Sequence, residues 1–115
     1  MIIPGTDDLV IFKGASFNPY WIMDIDGVPV DLSAYTAIFV ARLATGNRQI
    51  LITLTTENGG IELDDDGKIQ LNMSASQTDA LIFKGDGVYN LELINGEEVD
   101  RILQGGITLD LGTID

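Results

Sequence analysis

The stretch GVYNLELINGEEVDRILQGG, Gly87–Gly106, decides how the rest of the chain is read. Tyr89, Leu91 and Leu93 alternate with Asn90 and Glu92. That is the two-residue period of a strand with one buried face. Asn95-Gly96 is a strong hairpin signal, and a second arm follows it. Two registers compete. A two-residue turn at Asn95-Gly96 sets Asn90 against Arg101 and Glu92 against Val99. A four-residue loop over 95–98 sets Glu92 against Arg101, Ile94 against Val99 and Leu91 against Ile102. The longer loop pairs charge with charge and apolar with apolar, and is favoured for that reason. Gly105-Gly106 interrupts the second arm, as a bulge or bend would.

The same period recurs upstream. KIQLNM alternates Ile69, Leu71 and Met73 with Lys68, Gln70 and Asn72; QILITLTT is rich in β-branched residues. Turn signals fall at Asp26-Gly27, Thr45-Gly46-Asn47, Asn58-Gly59-Gly60, Asp66-Gly67 and Asp86-Gly87, where Gly and Asn accept positive φ. Strands are expected near 8–13, 17–25, 35–44, 49–56, 60–64, 67–73, 87–94 and 98–110. In SASQTDALI, Ser74 and Gln77 have capping-box spacing, so 75–81 reads as a helical turn crossing between sheets. Short strands at this spacing predict an all-β sandwich or barrel. The expected core draws on Tyr35, Ile38, Val40, Ile52, Leu54, Ile69, Leu71, Tyr89, Leu91 and Leu93. IFKG occurs at Ile11 and again at Ile82, with flanks too different for a duplication.

The chain has 115 residues, 45% of them apolar, and nothing in its composition divides it, so 1–115 is expected to be one domain. Eighteen acids against six bases give a formal net charge of −12. Such a surface repels nucleic acid and anionic membrane alike, and neither is an expected partner. With no cysteine and no histidine, thiolate chemistry and the commonest general base are both missing. No catalytic residue, no cofactor and no enzyme activity are expected. MIIPGTDDLV lacks the basic region and apolar run of a signal peptide, and a soluble protein of the cytoplasm, or of a particle assembled there, is expected.

Several residues have a possible chemistry to weigh. ELDDDGKIQLNM follows the early positions of a calcium loop, but Met73 stands where a bidentate Glu is required. Asp64, Asp65 and Asp66 are thus a solvated hairpin tip, at most a weak calcium site. Asp24 and Asp26 flank another turn, where exposure leaves carboxylates ordinary. Tyr20 and Trp21 point to opposite faces of a strand, with Trp21 the better core anchor. The two end strands, 8–13 and 98–110, read as unprotected sheet edges. Ile107 and Leu109 are the interface candidates on the second of them.

In chain order, FKGASF, DGVPVDLSAYTA, Ala41-Arg42, LTTENGGIEL, GKIQLNMSASQT, GVYNLELI and VDRILQGGITL resemble small bacteriophage structural modules. These include the N-terminal domain of baseplate upper proteins. Where such modules often carry Arg-Gly-Asp-Thr, this chain has Lys13-Gly14-Ala15-Ser16. The resemblance spans nearly the whole chain. It implies an immunoglobulin-like antiparallel β-sandwich with one short helical turn. It also implies a structural or assembly role in the tail or baseplate of a virion. The implied partners are copies of itself, as a homo-oligomer in the assembled particle, and neighbouring virion proteins. The alternative from another class is a carbohydrate- or calcium-dependent binding module, built on Tyr20, Trp21 and the acidic tip.

Overall fold

The structure, a computed structural model, describes residues 5–44, 48–83 and 86–112. In chain order the strands are β1 (Gly5–Thr6), β2 (Leu9–Phe12), β3 (Tyr20–Ile22), β4 (Asp24–Ile25), β5 (Val28–Pro29), β6 (Thr36–Leu43), β7 (Ile50–Thr55), β8 (Ile61–Leu63) and β9 (Lys68–Leu71). The helix α1 (Ala75–Asp79) follows, then β10 (Asp86–Asn95) and β11 (Glu98–Asp110). Among the described residues the fold is all-β with this one short helix. The turn expected at Thr45-Gly46-Asn47 and the second Lys-Gly of the IFKG pair lie outside the described residues.

The hairpin of β10 and β11 organises the larger sheet. Glu92 faces Arg101 and Ile94 faces Val99, as charge matching requires. One further pair, Asn95 with Glu98, closes the ladder, so the turn is the two residues Gly96 and Glu97. Gly96 takes φ 64°, the positive value that a tight hairpin turn needs from its first central residue. A bulge beside Leu91 then sets that residue against Leu103. Leu91 therefore does not face Ile102, because the extra residue of the bulge advances the register by one.

On its other side β10 pairs with β6, and β6 with β7, all antiparallel. The free side of β11 is taken by the N-terminal segment. β1 and β2 both run parallel to it, Gly5 opposite Leu103 and Leu9 opposite Ile107. The smaller sheet has the order β3-β9-β8, and β4 and β5 form a separate hairpin. The chain passes from β3 in the small sheet to β6 and β7 in the large one. It returns for β8 and β9, and α1 then carries it back to β10.

One apolar cluster joins the two sheets. Phe39, Leu91 and Leu93 from the large sheet and Ile69 and Leu71 from the small one are all buried in it. Seven of the ten expected core residues are buried: Ile52, Leu54, Ile69, Leu71, Tyr89, Leu91 and Leu93. Tyr35 is half-buried against the cluster. Ile38 and Val40 are a correction, since β6 turns its other face inward and buries Ala37, Phe39 and Ala41. The centre of TAIFVARL is apolar on both faces, and only Thr36 and Arg42 at its ends mark the Ile38 and Val40 face as the outer one. Packing agrees: the Phe39 ring stacks on Tyr89 with centroids 5.1 Å apart, flanked by two small alanines.

α1 is fastened at both ends. Ser74 Oγ accepts from the Gln77 N–H at 3.2 Å, and Gln77 Oε1 accepts from the Ser74 N–H at 2.7 Å. This is the reciprocal cap foreseen from the spacing. At the other end Lys13 Nζ donates to the carbonyls of Asp79 and Leu81, a cation where a helix end is electronegative. Thr78, fully buried, accepts from the Gly14 N–H at 3.0 Å and donates to the Ala15 carbonyl at 2.8 Å. Replacing it by the isosteric Thr78→Val leaves two backbone groups unmet. A loss of about 2 kcal/mol is expected, read as a lower urea midpoint with an unchanged slope.

Candidate interaction surfaces

The glycine doublet explains where the N-terminal strand lies. Between β1 and β2 the chain stays in step with β11, which brings Asp7 and Asp8 beside Gly105 and Gly106. A Cβ on Gly105 would overlap the Asp7 carbonyl oxygen and stand 2.9 Å from its carbon. Only glycine permits that approach. The Asp7 N–H donates to the Gln104 carbonyl at 3.1 Å, and Asp8 Oδ1 accepts the Gly106 N–H at 3.0 Å. Tyr89 Oη donates to the Asp7 carbonyl at 2.6 Å, and the Trp21 indole N–H to Asp7 Oδ2 at 3.0 Å. Residues from both sheets and the chain start thus meet at Asp7.

Burial pushes the Tyr89 hydroxyl above the ordinary tyrosine range, and the carboxylates of Asp7 and Asp8 add to the rise. The folded state therefore holds this proton more tightly than the unfolded chain does. Its contribution to stability is intact below the unfolded value of about 10 and falls as pH rises beyond it. Tyr89→Phe should cost about 1 kcal/mol at neutral pH through the lost hydrogen bond. The gap between wild type and variant should narrow in urea titrations above about pH 10.

Ile107 and Leu109 are a correction. They are 1% and 8% exposed and belong to the core, so neither offers a docking surface. β11 is not an edge, because β2 covers the side left open by β10. The expected edge at 8–13 is where the sheet does end, with β2 paired only to β11 among the described residues. Its outward residues Val10 and Phe12 are 46% and 58% exposed. The opposite edge of the large sheet is β7.

The acidic residues singled out from the sequence gather at one end of the small sheet. Asp24 and Asp26 stand on the β4–β5 hairpin and Asp64, Asp65 and Asp66 on the β8–β9 hairpin, all exposed. The Met23 N–H donates to the Gly67 carbonyl at 2.8 Å and joins the two hairpins. Asp64 Oδ1 is engaged in its own turn, accepting the N–H groups of Asp66 and Lys68 at 2.9 Å each, an Asx-type closure. Beside this end Asp31 accepts from the hydroxyl and backbone N–H of Ser33, which hold its carboxyl below the usual range. Among the described residues no three acids converge on a point that would hold a metal ion. Tyr20 is 60% exposed with Lys68 Nζ 5.0 Å from its ring centre, while Trp21 packs half-buried against the core. The two rings do not share a platform.

A groove of about 680 Å³ on the outer face of the large sheet was not foreseen. Val40 and Arg42 of β6, Val88 and Asn90 of β10 and Arg101 and Gln104 of β11 line it. They alternate with the buried Phe39, Ala41, Tyr89 and Leu91. Arg48, entering β7, completes it. All three arginines of a chain with net charge −12 thus meet on one face. Glu92 lies 4.0 Å from Arg101 with both side chains partly exposed, a contact worth little in water. Arg42 and Arg48 flank the connection from β6 to β7, and the pairing of β10 with both β6 and β11 brings the distant Arg101 to them.

Searched against protein-family models and against curated proteins, the chain matches none. Among the described residues no helix is long and apolar enough to cross a membrane.

Proposed function

We propose that the chain is a structural and assembly module of a bacteriophage or prophage tail or baseplate, acting by protein–protein contact. Its partners are copies of itself and neighbouring virion proteins. The finer fold in this reading is an immunoglobulin-like sandwich. Two mainly antiparallel sheets share one core, and the chain passes repeatedly between them, as in sandwiches of this size. The ordered resemblance of FKGASF through VDRILQGGITL supplies the family. The observation that carries the role is the outer edge of β2.

Among the described residues no strand pairs with the outer side of that edge, where Val10 and Phe12 are exposed. In a protein that works alone such an edge is an aggregation hazard. In a particle component it is a place for a neighbour's strand to add. The chain also has no histidine or cysteine to run common acid–base or nucleophilic chemistry. Trp21 is turned toward the core and Asp64 toward its own turn, so the sugar- and calcium-binding alternative gains no support.

The double variant Val10→Lys, Phe12→Lys tests the role of the edge. Both side chains already face solvent, so stability should change by no more than about 0.5 kcal/mol per site. Incorporation into particles should fall at least tenfold, on the order of the 1.4 kcal/mol that one lost contact provides. Undiminished incorporation of the folded variant would show that the edge is not where neighbours dock.

A further inference from the structure

The arginine groove and the acidic end are opposite in charge and separate on the surface. Six cations serve the whole chain. Lys13 is engaged at the end of α1 and Lys68 stands over Tyr20. Lys84 lies outside the described residues, and the three arginines share the groove. Along β10 its floor runs from Val88, opposite Arg42, to Glu92, opposite Arg101. Four residues of strand span about 14 Å. The floor between them is apolar at Val40 and Val88 and carries amide groups at Asn90 and Gln104. Glu92 stands beside Arg101, but the lining of the groove itself holds three arginines and no acid.

We propose that the groove of one copy receives the acidic end of a second copy, so that the chain assembles head to tail. This rests on the assembly reading above and adds the two surfaces through which copies meet. The end that fits is the joined pair of hairpins bearing Asp24, Asp65 and Asp66. Those carboxylates are exposed, whereas Asp64 is committed to its turn. Two bodies of charge −12 repel at long range, but salt screens that repulsion beyond about 8 Å at physiological ionic strength. Contact is then decided by the local match. The groove is where the described surface gathers positive charge against such an end, and complementary patches fix orientation as well as rate. The two surfaces differ, so the contact is heterologous and builds a ring or a filament rather than a two-fold dimer.

The test uses two complementary variants of the full chain. Arg42→Ser with Arg101→Ser disables the groove; Asp24→Asn, Asp65→Asn and Asp66→Asn disable the end. All five sites are exposed, and unchanged melting curves verify folding. In sedimentation velocity at about 0.1 M salt the wild type should self-associate, and each variant alone should do so at least about tenfold more weakly. Mixed together, the variants retain one intact groove and one intact end between them and should form a one-to-one complex. That complex should dissolve at about 1 M salt, where screening reaches 3 Å. A monomeric wild type, or a mixture that stays apart, overturns the proposal. So does saturation of the groove by soluble polyglutamate while the wild type remains monomeric, because its partner would then be a different acidic chain. Failure of self-association while the chain still binds purified tail proteins refutes only this inference. Failure of both refutes the assembly reading too.

Discussion

Ile107→Lys should leave the protein unfolded at room temperature. Ile107 is 1% exposed, faces Leu9 across the parallel ladder, and packs so closely on Gly87 that a Cβ there would lie 2.9 Å from its Cγ2. The substitution removes a buried aliphatic side chain and puts an ammonium in its place. Loss of such a side chain alone costs about 2–5 kcal/mol. The charge must also be desolvated without a partner or give up its proton. The combined loss of about 5 kcal/mol or more matches the whole stability of many small domains. Val99→Lys is the control on the same strand. Val99 is 53% exposed, and its replacement should shift stability by no more than about 0.5 kcal/mol. Circular dichroism melts of the two variants decide the matter. A cooperative, near-wild-type melt for Ile107→Lys would mean that the faces of β11 are assigned the wrong way round.

Gly105→Ala should have the second-largest effect, for a different reason. Here the backbone has no room. The new methyl overlaps the Asp7 carbonyl, which is backbone fixed between β1 and β2 and cannot rotate away as a side chain could. Relief requires the N-terminal strand to lift, and that breaks the bonds of Asp7 to Gln104, Tyr89 and Trp21 together. A cost of about 3 kcal/mol is expected, the upper part of the range for overpacking. Amide exchange should accelerate across residues 5–12 while β6 and β10 stay protected. The neighbouring Gly106→Ala meets the Asp8 carboxylate at 3.3 Å, the far end of a flexible side chain. It should cost about 1 kcal/mol at most. Equal effects at the two positions would contradict the close approach at Asp7.

These two sites also mark where the sequence was and was not legible. Strands with one apolar face announced themselves. Ile69 and Leu71 in β9, and Tyr89, Leu91 and Leu93 in β10, were readable because the residues between them are polar. The α1 cap was readable because Ser74 and Gln77 act locally. β6 was legible as a strand but its facing was marked only at its ends, since Ile38 and Val40 are as apolar as Phe39. The pairing of the two chain ends carries no local signal. A parallel partner for β11 from residues 5–12 can be inferred only from the doublet Gly105-Gly106, which equally suits a bulge. Without that partner β11 looks like an edge, and Ile107 and Leu109 look available. The arginine groove was hidden for the same reason, being a product of strand order rather than of spacing.

The proposed assembly role depends most directly on where the chain is found. On the proposed reading, particles assembled from the genome that encodes the chain can be banded on a density gradient and quantified by mass spectrometry. The account predicts that the chain bands with tails at a fixed copy number per particle and is depleted from the soluble fraction. Abundant chain in the soluble fraction of the same lysate, with none in the banded particles, would contradict it.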